Sequence, residues 1–270
     1  MFTIGVTSLG MSGIPFAQAV EKMVSFGAEC TELNGRPGVH PDLDWDTDDD
    51  YQRVLRQLAE ANIVATSLGG YCDFAQLDDN ALEAEVAGLT VYCERAAHLG
   101  IPVVRAFAGD TKEGLSLADV KARITEAFTE VMRRVQGLDV IVGIENHGHL
   151  ANDGMFLRKV IETVASPKLG MTIDTGNFYD VGHTPKQVDR FIQLLAPYVV
   201  NVHVKDVTCR EGKIAFVPAG RGIVNVARLF ALLEGVGYEA AIISEYEGEA
   251  AYDVGTRESV AYLRGLRDGR

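Results

Sequence analysis

Cysteine is scarce and unpaired in this sequence. Four cysteines occur among 270 residues, at positions 30, 72, 93 and 209, and no two of them form a C-x-x-C pair. This scattering argues against a disulfide framework and indicates reduced thiols. We therefore expect a cytoplasmic protein.

Basic residues are also few. Lysine and arginine together number 25 against 38 aspartates and glutamates, which gives a formal net charge of −13. Proteins that grip a nucleic-acid backbone over a broad surface need basic side chains that displace counterions. The charge balance therefore argues against a nucleic-acid partner. It is compatible with a small ligand whose charge is neutralised locally.

Long hydrophobic runs are missing as well. The first ten residues, MFTIGVTSLG, are strand-like and lack the basic segment, apolar segment and cleavage site of a secretory signal. No apolar run is long enough to span a bilayer. From the sequence we expect neither export nor a membrane partner.

One unit recurs eight times along the chain: a short apolar, β-branched run, a loop and a longer amphipathic stretch. Hydrophobic residues make up 47% and charged residues 23%, an ordinary globular composition. Near-continuous apolar runs of this length are typical of parallel strands that are covered on both faces. The predicted strands cover residues 3–9, 29–35, 63–70, 101–109, 140–148, 169–177, 199–206 and 240–248.

The stretches between these strands have helical periodicity. In residues 116–137 the apolar positions step by three or four and form a single stripe, made of Leu117, Val120, Ile124, Phe128, Val131 and Val135. Eight strand–helix units in about 250 residues match a closed barrel, so we predict an α/β fold with one (β/α)8 TIM-barrel domain over residues 1–270. A doubly wound open sheet is the alternative. The segment TSLGMSG lacks the glycine fingerprint that usually follows the first strand of such a sheet.

Ionisable side chains stand at the ends of the last four predicted strands. Glu145 ends the fifth strand, Asp174 the sixth, His203 the seventh and Glu245 the eighth. The first three are spaced evenly, since 174 − 145 = 29 and 203 − 174 = 29. We expect them at equivalent heights on consecutive strands. Active sites of this fold lie where strands meet the following loops, so barrel closure would bring all four ends together.

Three carboxylates that converge without a counterion would repel one another. At about 4 Å and an effective dielectric near 20, each pair costs roughly 4 kcal/mol. The sequence places no basic side chain within the quartet, and the neighbouring Lys205 is a single flexible charge. We therefore predict one shared divalent metal ion, with manganese favoured and magnesium, cobalt, iron or zinc compatible with three oxygen donors and one imidazole.

Each of the four residues also has a purely structural explanation. The glutamates could pair with Lys205 or Arg105, the aspartate could cap the loop after its strand, and the histidine could be an ordinary core residue. Four such residues at matching ends of consecutive strands favour the shared metal site.

At these residues the chain resembles the xylose isomerase-like TIM-barrel superfamily, particularly its sugar-phosphate isomerase/epimerase branch. That branch includes tagatose 3-epimerase-like enzymes, hydroxypyruvate isomerases and inosose dehydratases, and endonuclease IV is a more distant relative. The resemblance covers nearly the whole chain. Its strongest motifs are ENHG, DTGN, HVKD and GYEAAIISEYEG.

The resemblance implies a metal-dependent enzyme that acts on a small sugar or polyol-like substrate. Glu145, Asp174, His203 and Glu245 would be the metal ligands, and the two glutamates would also be the acid–base pair on opposite faces of the sugar. In such an enzyme a hydroxyketone would chelate the metal, and one glutamate would remove a proton from the neighbouring carbon to give a metal-bound enediolate. Return of the proton to the opposite face gives epimerisation, and return to the next carbon gives aldose–ketose isomerisation.

Other polar residues near the strand ends are candidates for substrate binding. His147 lies two residues after Glu145, where a continuing strand would point it to the same side. Asn177 lies three residues after Asp174 and Lys205 two after His203, and all three could instead hydrogen-bond the metal ligands. Arg105 on the fourth strand and Arg221 in PAGRG are further candidates, for which surface or loop roles are the alternative.

Three other functions are compatible with such a barrel. A lyase, resembling inosose dehydratase or 3-dehydroshikimate dehydratase, would expel a β-hydroxyl from the same enolate. An endonuclease IV-like enzyme would need additional histidines on early strands, and the third and fourth strands end in SLGG and RAFAG. A catalytically silent sugar-binding barrel would be expected to lack one glutamate. Barrels of this type often pair through their helices into homo-oligomers, but no segment of the sequence specifies an interface.

Overall fold

Eight parallel strands form a closed barrel in a computed structural model that describes residues 1–45, 47–114, 116–210, 212–249 and 251–269. The first seven barrel strands are β1 (Thr3–Thr7), β2 (Cys30–Asn34), β3 (Val64–Gly69), β4 (Val103–Ala106), β5 (Ile141–Glu145), β6 (Leu169–Asp174) and β7 (Val199–Val204). A hairpin of β8 (Asp206–Arg210) and β9 (Lys213–Val217) follows, and β10 (Ala241–Ser244) completes the barrel between β7 and β1. The predicted (β/α)8 barrel is thereby confirmed.

Helices surround the barrel because each carries one apolar stripe. In the helix after β4, Val120, Ile124, Phe128 and Val131 are buried, as the periodicity predicts, whereas Leu117 at its first position is 51% exposed. Among the residues that the structure describes, no helix combines the length and apolarity needed to cross a bilayer. The helices are α1 (Phe16–Phe26), α2 (Asp48–Glu60), α3 (Asp79–Leu99), α4 (Leu117–Arg134), α5 (Gly148–Ala151), α6 (Gly154–Val164), α7 (Asn177–Asp180), α8 (Pro185–Leu195), α9 (Val226–Gly235) and α10 (Tyr252–Asp268).

The strand register places only two of the three evenly spaced residues, Asp174 and His203, at equal height in the barrel. Asp174 on β6 lies directly opposite His203 on β7. Glu145 on β5 lies opposite Thr172, which is two residues before Asp174. A displacement of two residues keeps a side chain on the same face, because side chains alternate with a period of two. The equal sequence spacing therefore predicts the face correctly and the height only for Asp174 and His203.

The hairpin of β8 and β9 is an element that the sequence analysis does not predict. It is joined to the loop before α9 by Asp206, a residue that is 2% exposed. Oδ1 accepts hydrogen bonds from the backbone N–H groups of Val207 and Val224, and Oδ2 accepts from those of Gly220 and Gly222. One carboxylate thus holds the hairpin against the loop that leads to α9.

Replacing Asp206 by alanine should destabilise the protein by about 3 kcal/mol, because it leaves several buried N–H groups without an acceptor. Urea unfolding measures this loss. Asp189→Ala is the matched control, because Asp189 is half exposed and contacts Arg228 at the surface, and its loss should cost less than about 0.5 kcal/mol. Equal stability of the two variants would contradict this role for Asp206.

Candidate metal centre

The barrel brings the four predicted metal ligands into one buried cluster. Glu145 and Asp174 are the last residues of β5 and β6, His203 lies on β7, and Glu245 directly follows β10. One potential ligand atom from each lies within 4.8 Å of the others. Among the described residues, this is the only group of three or more such side chains that could hold a metal ion.

Three buried atoms in this cluster make no hydrogen bond of good geometry and have only charged groups of the cluster as polar neighbours. They are Asp174 Oδ2, His203 Nδ1 and Glu245 Oε2. The other carboxylate oxygen of Asp174 accepts from the backbone N–H groups of Gly176 and Asn177, so the expected loop cap also exists. Buried polar atoms are rarely left unpaired. Two oxygens and one imidazole nitrogen that face one another suit a divalent cation.

Two basic side chains lie within the cluster, which corrects the expectation that none does. Arg105 Nε is 3.2 Å from Glu145 Oε2. Lys205 Nζ is 3.3 Å from Asp174 Oδ2 and 3.2 Å from Glu245 Oε2. Lys205 enters because it follows His203 by two residues and therefore lies on the same inward face. The repulsion among the carboxylates is partly compensated without any metal ion.

A fourth buried carboxylate, Glu32 on β2, was missed by the sequence analysis. It is 1% exposed and lies beside Arg105 and His203. Burial opposes ionisation, but His203 and Arg105 more than offset it and lower the pKa of Glu32 to about 2. The available signal was a charged residue in the middle of ECTELNG, a strand expected to be covered on both faces.

The formal charge of the cluster fits a divalent cation. When ionised, Glu32, Glu145, Asp174 and Glu245 contribute −4, and two basic side chains contribute +2. With a neutral imidazole the sum is −2. One divalent ion would bring the buried charge to zero, which a low-dielectric interior favours.

The pKa values in the cluster are strongly perturbed. Burial, together with the negative charges of Glu245 and Glu145, raises the pKa of Asp174 well above its usual range, and Lys205 only partly opposes this. Burial would also raise the pKa of Glu245, but Lys205 and His203 hold it well below its usual value. Burial alone would lower the pKa of His203, and Glu32 and Glu245 raise it instead. Such shifts are typical of functional sites.

Asn146 of the ENHG motif connects the ends of β5 and β6. Its side-chain amide donates to the backbone carbonyl of Asp174 at 2.8 Å, and its Oδ1 accepts from the Asp174 N–H at 2.8 Å. The amide also donates to Asn152 Oδ1. This pairing fixes the position of Asp174 relative to Glu145, the residue that precedes Asn146.

A cavity of about 320 Å³ opens above the cluster, a volume near the lower end for small-ligand pockets. Four of the five residues predicted to bind substrate line it, namely Arg105, His147, Asn177 and Lys205. Arg221 does not line it, because its side chain is 64% exposed and pairs with Glu258 at 3.0 Å. The remaining lining residues are Leu9, Arg36, Tyr71, Phe107, Glu145, Asp180, Glu245 and Glu247.

His147 reaches the cavity by a different route from the predicted one. β5 ends at Glu145, so His147 does not continue the strand but precedes the first residue of α5. Its ring stacks on Phe107 with centroids 4.3 Å apart. Asn177 donates to Glu145 Oε1 at 3.0 Å and accepts from Lys205 Nζ at 3.1 Å. Asn177 and Lys205 therefore contact the predicted metal ligands and also line the cavity.

Solved structures with the same fold superpose on nearly the whole length of this chain. A D-tagatose 3-epimerase-like protein superposes with a TM-score of 0.82 and 17% identity, covering 99% of this chain and 97% of its own. The IOLI protein, with a bound zinc atom, gives 0.81 and 14%, covering 99% and 97%. The probable 3-DHS dehydratase AsbF of Bacillus anthracis gives 0.77 and 18%, covering 98% of each chain.

Sequence comparison gives the family. Curated protein sequences contain no significant match to this chain. The profile of the xylose isomerase-like TIM barrel matches residues 20–266. This range includes seven of the eight barrel strands, and only β1 lies before it. The chain therefore belongs to the xylose isomerase-like TIM-barrel family.

Proposed function

We propose that this chain is a divalent-metal-dependent isomerase or epimerase of a small sugar or sugar phosphate. The observation that carries the proposal is the set of four buried side chains that offer potential ligand atoms within 4.8 Å of one another, at the base of a cavity. Glu145, Asp174, His203 and Glu245 would hold the ion, for which manganese is our first choice. When bound, it would polarise the substrate carbonyl and stabilise negative charge that develops there.

The two glutamates are held as a pair of proton-transfer groups. Asn177 and Arg105 contact the two oxygens of Glu145 and fix the orientation of its carboxylate. Lys205 and His203 hold the pKa of Glu245 low despite burial, so this carboxylate is ionised. One glutamate would remove the proton next to the carbonyl, and the other would return a proton to the opposite face.

The remaining cavity residues would bind the substrate. Lys205 carries three hydrogens on Nζ and can donate to a substrate oxygen, as can the side-chain amide of Asn177. His147 stands at the mouth with its ring stacked on Phe107, a surface on which a sugar can lie. Lys205 is only 4% exposed, so little water surrounds it. The low local dielectric would strengthen its contact with a substrate oxygen.

A lyase is the second candidate, because its chemistry would use the same groups up to the first proton removal. Its support is the fold shared with AsbF, which covers 98% of both chains. The two functions differ in one step. An isomerase or epimerase returns the proton to carbon, whereas a lyase lets a β-hydroxyl leave as water.

The deciding experiment incubates manganese-loaded protein with ketoses, ketose phosphates and inososes in deuterated water, followed by mass spectrometry and chiral separation. Incorporation of solvent deuterium with an altered sugar configuration supports the proposed function. Loss of water from the substrate would favour the lyase. No reaction of any of these carbonyl compounds, with the metal demonstrably bound, would overturn both.

A further inference from the structure

Glu32 lies on the opposite side of the His203 ring from the predicted metal ligands. Its Oε2 is 2.9 Å from His203 Nε2 and accepts hydrogen bonds from Ser67 Oγ at 2.8 Å and Asn201 Nδ2 at 2.9 Å. Its Oε1 is 3.3 Å from Arg105 Nε. Both oxygens are thus occupied on the far side of the ring, and Glu32 is not part of the ligand cluster.

The other nitrogen of the same ring faces the cluster. His203 Nδ1 is 3.3 Å from Glu245 Oε2 and 4.0 Å from Glu145 Oε1, and it makes no hydrogen bond of good geometry. A neutral imidazole carries one proton, on one nitrogen only. A carboxylate can only accept, and one faces each ring nitrogen, but the contact of Nε2 with Glu32 is shorter, at 2.9 Å against 3.3 Å for Nδ1 with Glu245, so Nε2 carries the proton. The lone pair is then left on Nδ1.

We propose that Glu32 is a positioning residue that holds His203 in the tautomer protonated on Nε2 and thereby presents Nδ1 to the divalent ion. This inference rests on the proposed metal-dependent function, since it assigns a role at the same site. Carboxylates that orient a ligating histidine in this way are a recurring feature of metal sites. Here the carboxylate comes from β2, and the histidine comes from β7, three strands away around the barrel.

A competing arrangement would reverse the tautomer. Asn201 Nδ2 lies 3.3 Å from His203 Nε2, and an amide donor at that position could satisfy a lone pair there. The carboxylate is closer, at 2.9 Å, and the Asn201 amide already donates to the same Glu32 oxygen. The geometry therefore favours the proton on Nε2. Because the two arrangements place the proton on different nitrogens, they can be distinguished directly.

The unaltered chain gives the first test. Protein labelled with 15N-histidine is loaded with 113Cd, and nitrogen NMR identifies which ring nitrogen of His203 couples to the metal and which carries a proton. We expect metal coupling at Nδ1 and a proton on Nε2, shifted downfield by its carboxylate acceptor. Metal coupling at Nε2, or a protonated Nδ1, would overturn the proposal without any variant being made.

Glu32→Gln gives the second test, because glutamine keeps the size of the side chain and removes its charge. We expect manganese to bind about 10–100-fold more weakly by calorimetry, and the Nε2 proton to lose its downfield shift. Ser67→Ala is the matched control: it removes one hydrogen bond from the same Glu32 oxygen and leaves the contact with His203 intact. Its manganese affinity should stay within about threefold of the unaltered protein.

The outcomes separate this inference from the proposed function. Unchanged manganese affinity and an unchanged Nε2 signal in Glu32→Gln would refute the role of Glu32, even if the protein converts sugars. An equal loss of affinity in Ser67→Ala would also refute it, because general disturbance of the barrel interior would then suffice. Metal bound through Nδ1 in a protein that converts no carbonyl sugar would refute the proposed function and support the role of Glu32.

Discussion

Glu145→Gln and Glu245→Gln should each lower kcat by about 10²–10⁴-fold, because glutamine cannot exchange the proton that the reaction moves. Steady-state rates on the substrate identified by the deuterium experiment measure this effect. Glu239→Gln is the control, since it removes the same charge from a glutamate that is 81% exposed and pairs only with the amino terminus in the described structure. Its kcat should match that of the unaltered protein.

The two site variants should also differ from each other in a partial reaction. If the glutamates serve opposite faces of the sugar, a variant that retains one of them still exchanges the proton on that face. We expect each variant to incorporate solvent deuterium into one epimer only, without net epimerisation. Calorimetric titration with manganese shows whether the metal is still bound. Normal turnover in either variant would remove that residue from the acid–base assignment.

The barrel follows from the sequence because its signals are local. Apolar runs such as VIVGIE and amphipathic stretches such as residues 116–137 can be recognised without knowledge of the elements they pack against. Eight such strand–helix units in order are compatible with few topologies. The convergence of Glu145, Asp174, His203 and Glu245 then follows from topology, since the ends of neighbouring parallel strands share one edge. Neither step requires side-chain detail.

The parts that sequence reasoning missed depend on contacts across the barrel. Glu32 faces His203 from a strand 171 residues earlier in the chain. Whether such a carboxylate points into the barrel depends on the register of its strand. It also depends on the partners that compensate for its burial. The same holds for Lys205, whose neighbours Asp174 and Glu245 come from two other strands.

Register is the third limit on what the sequence predicts. The spacing of 29 residues between Glu145, Asp174 and His203 suggests equal heights, but loop lengths and a register shift between β6 and β7 also contribute to it. The shift lies at Met171 and Thr172, just before the ends that matter. A sequence interval between two strands fixes neither the height nor the face of a residue, because loop length and any bulge both enter it.

Removal of the metal ion is the second change with a large expected effect. Chelation should abolish turnover, and added manganese should restore it, because under the proposed function the cation polarises the substrate carbonyl. At a manganese concentration about 100 times Kd, binding stabilises the folded protein by about 2.7 kcal/mol. For a chain of this size that raises Tm by roughly 5–10 °C, which calorimetry can measure.

The gain in Tm should shrink as the pH falls, and the direction follows from the pKa values. In the metal-free protein the pKa of Asp174 is raised by burial and by Glu245 and Glu145, and that of His203 is raised by Glu32 and Glu245. Both groups therefore hold a proton more tightly than usual, and a cation must displace it. Lower pH strengthens this competition.

Asp174→Asn, which has no proton to release at this position, should bind manganese more weakly and with a shallower pH dependence. A gain in Tm that is independent of pH in the unaltered protein would show that the cation binds elsewhere.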